Sequence, residues 1–257
     1  MSGKVAIVTG GSRGIGRAVS HGLAEAGAKV VVASRSEEEV PPGSEFERYA
    51  TGNINATAES VRRAGGNAIA VPCDVTKGAD IQHLIEATLS RYGRIDILFS
   101  NAGIDCESPV VDLDPDLFDR CLAVNVRAPV LLCKYALPSM LERGSGSIIG
   151  VTSGSARGYR EGRVGYSLSK AALERMLLSL AEEVRDRNIA VNAFSPGRVD
   201  TWMNRRGDWP GTAHIPMVQP DEVIPAAVWL ASQSAETFTG QVVERADFGV
   251  TWGATGS

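Results

Sequence analysis

Tyr166 and Lys170 stand four residues apart in the run Tyr166-Ser167-Leu168-Ser169-Lys170. On a helix, the phenol and the ammonium project from one face, a turn apart. Such a pair suits proton transfer. A free tyrosine ionises near pH ~10, too high for an effective base near neutrality, and a neighbouring cation favours the phenolate. One Tyr-x-x-x-Lys pair is a weak signal on its own, because an amphipathic surface helix also produces it. A second suggestive stretch is Thr9-Gly10-Gly11-Ser12-Arg13-Gly14-Ile15-Gly16. Glycines at this density let the backbone turn tightly and approach a pyrophosphate at a helix N-terminus. Their spacing differs from the common dinucleotide fingerprint. Gly10-Gly11-Ser12-Arg13-Gly14 also satisfies the Gly-x-Ser-x-Gly nucleophile elbow of a serine hydrolase, with His214 as the candidate histidine. That elbow normally follows several strands, whereas this turn follows the first.

Short β-branched runs alternate with longer helical patterns around these residues. Lys4–Thr9, Lys29–Ala33, Ala68–Pro72, Ile95–Ser100, Ser147–Val151 and Ile189–Phe194 read as strands, with a short one near Gln241–Glu244. Between them, helices are expected over Gly14–Gly27, Gly78–Tyr92, Val164–Asn188 and Asp221–Ser232. Asp114-Pro115 opens another, which continues to Arg143 with a bend near Pro129. Unbroken alternation predicts an α/β chain: a single doubly wound, Rossmann-type domain over residues 1–257, with a mostly parallel seven-stranded sheet. Ligands then belong at the carboxyl ends of the strands. Two long connections interrupt the pattern. Ser36–Asn53 is an inserted polar loop with Pro41-Pro42-Gly43, expected to be mobile without a ligand; 198–220, carrying Trp202, Met203, Trp209, His214 and Met217, reads as a substrate lid.

The glycine turn, Asn101-Ala102-Gly103 after the fourth strand, and Tyr166-Ser167-Leu168-Ser169-Lys170 together resemble the short-chain dehydrogenase/reductase family, in its order and spacing. The similarity covers essentially the whole chain. It implies hydride transfer between NADP(H) and a secondary alcohol/ketone pair. Tyr166 would be the general acid/base, Lys170 would lower its pKa and hold the nicotinamide ribose, Ser153 would donate to the substrate oxygen, and Asn125 would position a relay water. Ser155 is the alternative donor to Ser153. The resemblance assigns Gly10, Ser12, Arg13, Gly14, Ile15 and Gly16 to the pyrophosphate turn, and Asp74-Val75 to the adenine. Asn101, Ala102 and Gly103 would form the cofactor floor, and Pro196, Gly197, Val199 and Thr201 would lie beside the carboxamide. Where an NAD enzyme of this architecture usually carries an acidic residue, this chain has Ser34 followed by Arg35. Arg13 and Arg35 can then converge on a 2′-phosphate, which points to NADP(H). A non-catalytic NADP(H)-binding sensor is the rival reading on the same fold. The stretch Gly240–Gly249 departs from the family's usual aspartate-glycine-glycine ending.

Composition narrows the partners. The chain has 257 residues, 44% of them hydrophobic, and a net charge of −4 from 26 basic and 30 acidic residues. That balance leaves no electrostatic footprint for nucleic acid or an anionic membrane. No apolar run approaches the ~20 residues that span a bilayer, and Met1 to Thr9 runs at once into a strand, so no signal peptide is expected. Cys73, Cys106, Cys121 and Cys133 show no Cys-x-x-Cys spacing and read as reduced thiols of a cytoplasmic protein. His21, His83 and His214 form no metal motif. The expected partners are a small carbonyl or alcohol and other copies of the chain, as a homotetramer or homodimer. The tetramer expectation rests on the apolar content of 114–143 and 164–188, with Leu173, Met176, Leu177 and Leu180 in the second.

Overall fold

Val5-Ala6-Ile7-Val8 is an unbroken apolar run, as parallel strands show when helices cover both sheet faces. In the computed structural model, which describes residues 1–35, 52–206 and 216–253, that run is β1 (Val5–Thr9), buried throughout. Six further strands follow: β2 (Lys29–Ser34), β3 (Asn67–Pro72), β4 (Ile97–Ser100), β5 (Gly146–Val151), β6 (Ile189–Ser195) and β7 (Val242–Glu244). They form one sheet in the order β3-β2-β1-β4-β5-β6-β7. Every neighbouring pair is parallel, so the sheet is parallel throughout rather than mostly so. Chain direction across the sheet reverses between β1 and β4, and the crevice at that switch is where such sheets bind ligands.

Successive side chains of a strand point to opposite faces, and the core divides accordingly. Ile7, Val31, Leu98 and Ile148 pack with Leu84 of α3 (Gly78–Tyr92), Leu132 of α5 (Ala128–Arg143) and Leu177 of α6 (Val164–Glu183). Val8, Val32, Phe99 and Phe194 pack on the other face with Leu23 of α1 (Gly14–Glu25), Ala58 of α2 (Ile54–Arg63) and Leu230 of α8 (Ile224–Ser232). Each fully buried Leu, Ile or Phe contributes roughly 1.5–3 kcal/mol.

Several expected boundaries move, each for a local reason. Asn53, expected in the mobile excursion, is buried and caps α2, its Oδ1 accepting from the Ala56 amide at 2.6 Å. The rest of that excursion, 36–51, lies outside the described residues, as do Trp209 and His214 of the expected lid. Asp114 caps α4 (Pro115–Leu122) as expected. The helix does not simply bend at Pro129. A π-turn over Ala123–Arg127 joins α4 to α5, with the Ala128 amide bonded back to the Ala123 carbonyl. Pro129 has no N–H to offer the Asn125 carbonyl, so the α-helical ladder breaks there. Helix α6 stops at Glu183 instead of Asn188, through a 3₁₀ turn closed by Asn188 at φ 53°. Asn tolerates that left-handed conformation better than most residues.

The continuous run Pro115–Arg143 is long and apolar enough to cross a bilayer by length and composition alone, although Arg127 and Lys134 interrupt its apolar residues. Its apolar face is spent on the fold, with Ala128, Leu132, Cys133, Ala136 and Met140 buried. The unusual C-terminal stretch forms β7 and then an aromatic seal on α8. Trp252 packs edge-on against Phe248 at 4.9 Å and Trp229 at 5.7 Å, and its Nε1 donates to the Glu244 carbonyl at 2.9 Å.

Candidate active site

The glycine turn leaves β1 at the switch point and is locked to the end of β4. Thr9 Oγ1 accepts from the amides of Asn101 and Ala102, both at 3.1 Å, and Asn101 Nδ2 donates to the Thr9 carbonyl at 2.9 Å. Gly10 turns at φ 67°, and a Cβ there would lie 2.8 Å from Asn101 Nδ2. A Cβ on Gly16 would overlap the Gly10 carbonyl oxygen, so only glycine lets α1 start this close to the turn. Ser12 is buried and its carbonyl accepts from the Thr57 hydroxyl at 3.4 Å. Ile15 packs against the α1 face of the core. The result is a backbone-lined cradle at a helix N-terminus, which fits a dinucleotide pyrophosphate.

Two guanidiniums flank this cradle. Arg35 is exposed just past Ser34, at the end of β2. Arg13 precedes α1, and burial and then the Arg35 charge push its pKa below the ordinary arginine value. They are therefore near enough to repel, as two cations do around an expected anion. Arg13 also lies 5.1 Å over the ring of Trp202, in the short helix α7 (Trp202–Arg206). Asp74 serves its own turn, its Oδ1 accepting from the Thr76 amide at 3.0 Å and hydroxyl at 2.8 Å. Burial opposes its ionisation, but Thr76, Arg35 and Lys77 hold its pKa below the usual value. Val75 beside it is buried.

After β6, the Pro196 carbonyl accepts from Arg245 Nε at 3.1 Å, and Gly197 turns at φ 75°. Buried Val199 bridges to Val218, which ties the base of the expected lid together. Thr201 packs against Gly14, where a Cβ would lie 3.0 Å from Thr201 Cγ2.

Helix α6 and the end of β5 bring together the residues expected to handle the proton. Tyr166 and Lys170 are both buried, and the Lys170 ammonium lies 5.7 Å from the Tyr166 ring centroid. Lys170 Nζ donates to the Val151 carbonyl at 2.9 Å, the last residue of β5. Burial brings its pKa down to about 8, against raising contributions from Cys121, Asp105 and Glu174. Ser153 Oγ accepts from the Ser155 amide at 3.2 Å, and its hydroxyl lowers the pKa of Tyr166. Because one lone pair takes that amide, the Ser153 proton is directed elsewhere, as a donor needs. Ser155, the alternative donor, accepts from Arg163 Nη1 at 3.1 Å. Asn125, in the π-turn, clamps the Ile104 backbone: Oδ1 accepts its amide and Nδ2 donates to its carbonyl, both at 2.9 Å. Nδ2 also reaches Ser169 Oγ at 3.0 Å. A Cβ on Gly103 would stand 3.5 Å from both Asn125 Oδ1 and Lys170 Nζ. The floor and the α6 pair are thus adjacent.

The surroundings of Tyr166 in this structure disfavour its ionised form. Burial, followed by Asp105, pushes the phenol well above its usual pKa. Arg163 and the Ser153 hydroxyl are the lowering influences. Sequence reading did not single out Asp105, Glu107, Arg163 or Glu174. Arg163 stands three residues before Tyr166, but nothing in its spacing announces burial. Three of the four residues offered for subunit pairing, Leu173, Leu177 and Leu180, are buried in the chain's own core, with Met176 packed against it. All four cysteines are free and buried. Among the described residues, no cluster of His, Cys, Asp and Glu could hold a metal ion.

Residues 4–208 match the model of the short chain dehydrogenase family. The chain belongs to the short-chain dehydrogenase/reductase family. It is 31% identical over 253 residues to dehydrogenase/reductase SDR family member 4 of Homo sapiens, covering 95% of this chain and 86% of that one. A metagenomic short-chain oxidoreductase solved in complex with NADP superposes with a TM-score of 0.77 at 29% identity, over 95% of this chain and 97% of that one. A structure assigned to an NAD(P)-dependent gluconate 5-dehydrogenase of Beutenbergia cavernae, with NADP at low occupancy, gives a TM-score of 0.82 at 30% identity, over 99% and 98%. The protein is thus a short-chain oxidoreductase. This membership leaves the nucleophile-elbow reading of Gly10–Gly14 without support.

Proposed function

We propose that this enzyme transfers a hydride between NADP(H) and a secondary alcohol/ketone pair, with Tyr166 as general acid/base. The observation that carries this reading is the buried Tyr166 on the same helix as buried Lys170, one turn away, with Ser153 close enough to influence its ionisation. The bound nicotinamide supplies or accepts the hydride. In reduction, Tyr166 releases its hydroxyl proton to the substrate oxygen while Ser153, its Oγ already satisfied by the Ser155 amide, donates a second hydrogen bond to the developing charge. Lys170 spends one N–H on the Val151 carbonyl and keeps two for the ribose hydroxyls. Asn125 fixes Ile104 and the floor after β4, and its own carbonyl, denied a donor by Pro129, is available to a relay water.

Gly10, Ser12, Arg13, Gly14, Ile15 and Gly16 cradle the pyrophosphate in this reading. Ser34, Arg35 and Arg13 take the 2′-phosphate, Asp74 and Val75 border the adenine, and Asn101, Ala102 and Gly103 form the floor. Pro196, Gly197, Val199 and Thr201 flank the carboxamide, and 198–220 is the substrate lid of a single domain spanning 1–257. NADP in the two structural relatives supports the choice of cofactor. The sensor alternative has no role for a buried Tyr166–Lys170 pair beside Ser153. We infer a homotetramer or homodimer from exposed Val130 on α5 and Val164 and Leu168 on α6, and place the enzyme in the cytoplasm on its four free cysteines. Light scattering that gives a monomer at micromolar concentration contradicts the assembly.

Tyr166→Phe tests the reaction. It keeps the ring and its packing but removes the proton donor. Turnover of NADPH against a panel of ketones falls about 10²–10⁴-fold while NADPH affinity stays within a few-fold. A variant retaining a third of wild-type turnover overturns the mechanism.

A further inference from the structure

Arg163 is a buried arginine at the entrance to α6, 6% exposed, and the proton-transfer reading above gives it no task. Its Cζ stands 5.0 Å from the centroid of the Tyr166 ring. Glu107 pairs with it, Asp105 lies 3.7 Å away, and its Nη1 donates to Ser155 Oγ at 3.1 Å. These partners come from two separate connections, one after β4 and one after β5 beside Ser153. A guanidinium held from both sides cannot swing into solvent, and arginine does not lose its proton in proteins. A permanent positive charge is therefore fixed against the ring of the proposed acid/base.

We propose that Arg163 is a positioning residue for proton transfer, holding the Tyr166 ring and stabilising its phenolate form. This rests on the reading of Tyr166 as the acid/base. Lys170 faces the same ring from α6, Cys121 from α4, Cys106 and Asp105 from the connection after β4, and Ser153 from beyond β5. Asp105 opposes Arg163: the carboxylate raises the phenol's pKa and the guanidinium lowers it. Glu107 is the second counter-charge, brought up to about 7 by burial and Asp105, against the pull of Arg163 and Arg160. Burial also disfavours the charged form of Lys170, the other cation against this ring.

The pH profile of alcohol oxidation at saturating NADP⁺ tests this. Log kcat/KM rises with pH to a plateau as the phenolate forms. Arg163→Met moves the midpoint upward by about one pH unit and leaves the plateau within a few-fold. Arg163→Lys, which restores a cation, returns the midpoint most of the way, and Asp105→Asn moves it downward. Arg163→Gln keeps a donor for Ser155 and gives the same upward shift where the methionine variant does not fold. A lowered plateau with an unmoved midpoint in both neutral variants makes Arg163 a purely structural residue and overturns the inference. If Tyr166→Phe stays active, the reading beneath it fails instead; if Tyr166→Phe is inactive and the midpoint is unmoved, only the role of Arg163 fails.

Discussion

The two halves of the site are built by different means. The cofactor half, from β1 to β3, uses backbone: Gly10, Gly14 and Gly16 make the cradle by having no Cβ, and Thr9 and Asn101 lock it with hydrogen bonds between adjacent strands. The half proposed to carry the proton transfer, from β4 to β6, uses side chains gathered from distant segments, most of them buried. Asp105, Cys121, Asn125, Ser153, Arg163, Tyr166 and Lys170 meet only in the fold. Backbone cradles tolerate solvent and changes of charge at their rim. Buried charge clusters set ionisation, and each member depends on the others. Substitutions in the first half should therefore change which cofactor binds, and those in the second should change protonation.

The largest expected effect of this contrast concerns Lys170. Its folded pKa is about 8, below the ordinary 10.5. Between those values the unfolded chain holds a proton that the folded chain does not, so stability rises with pH there. Wild type should gain on Lys170→Met from pH 8 to 10.5, by about 3 kcal/mol at most. Urea unfolding at several pH values measures it, and a flat difference would mean that the amine is solvated.

In the cofactor half, Arg35→Asp should lower the ratio of kcat/KM for NADPH over NADH by about 10²-fold, since charge-assisted bonds to a phosphate are worth roughly 1.5–3 kcal/mol. A wild-type ratio near one removes the NADP(H) assignment. The smallest effect is at the join between the halves. Trp202 lies under the Arg13 guanidinium, and a cation–π contact at a partly exposed site is worth roughly 0.5–1 kcal/mol. Trp202→Leu should raise the NADPH KM about threefold and leave kcat in place. A change in kcat alone would assign the ring to the substrate instead.

The same contrast explains what the sequence made legible. A glycine turn after an apolar run states its geometry locally, and so does a tyrosine one helical turn from a lysine. Strand and helix alternation fixed the sheet, because parallel strands need crossovers. Residues whose role depends on three-dimensional neighbours were not legible. Leu173 and Leu177 are core rather than interface because β5 lies beneath them: a Cβ on Gly150 would meet Leu177. Arg163 is buried because Asp105 and Glu107, more than fifty positions earlier, close over it. The π-turn at Asn125 needed the knowledge that Pro129 interrupts a helix already under way.

Label transfer tests the central claim most directly. NADPH carrying deuterium at both C4 positions of the nicotinamide is incubated with the ketone that wild type turns over fastest, and the product alcohol is examined by mass spectrometry and NMR. The account predicts deuterium on the carbinol carbon in wild type, and no labelled product above about one hundredth of that rate in Tyr166→Phe. Ketone reduction without deuterium at that carbon, or equal labelling by both proteins, would contradict it.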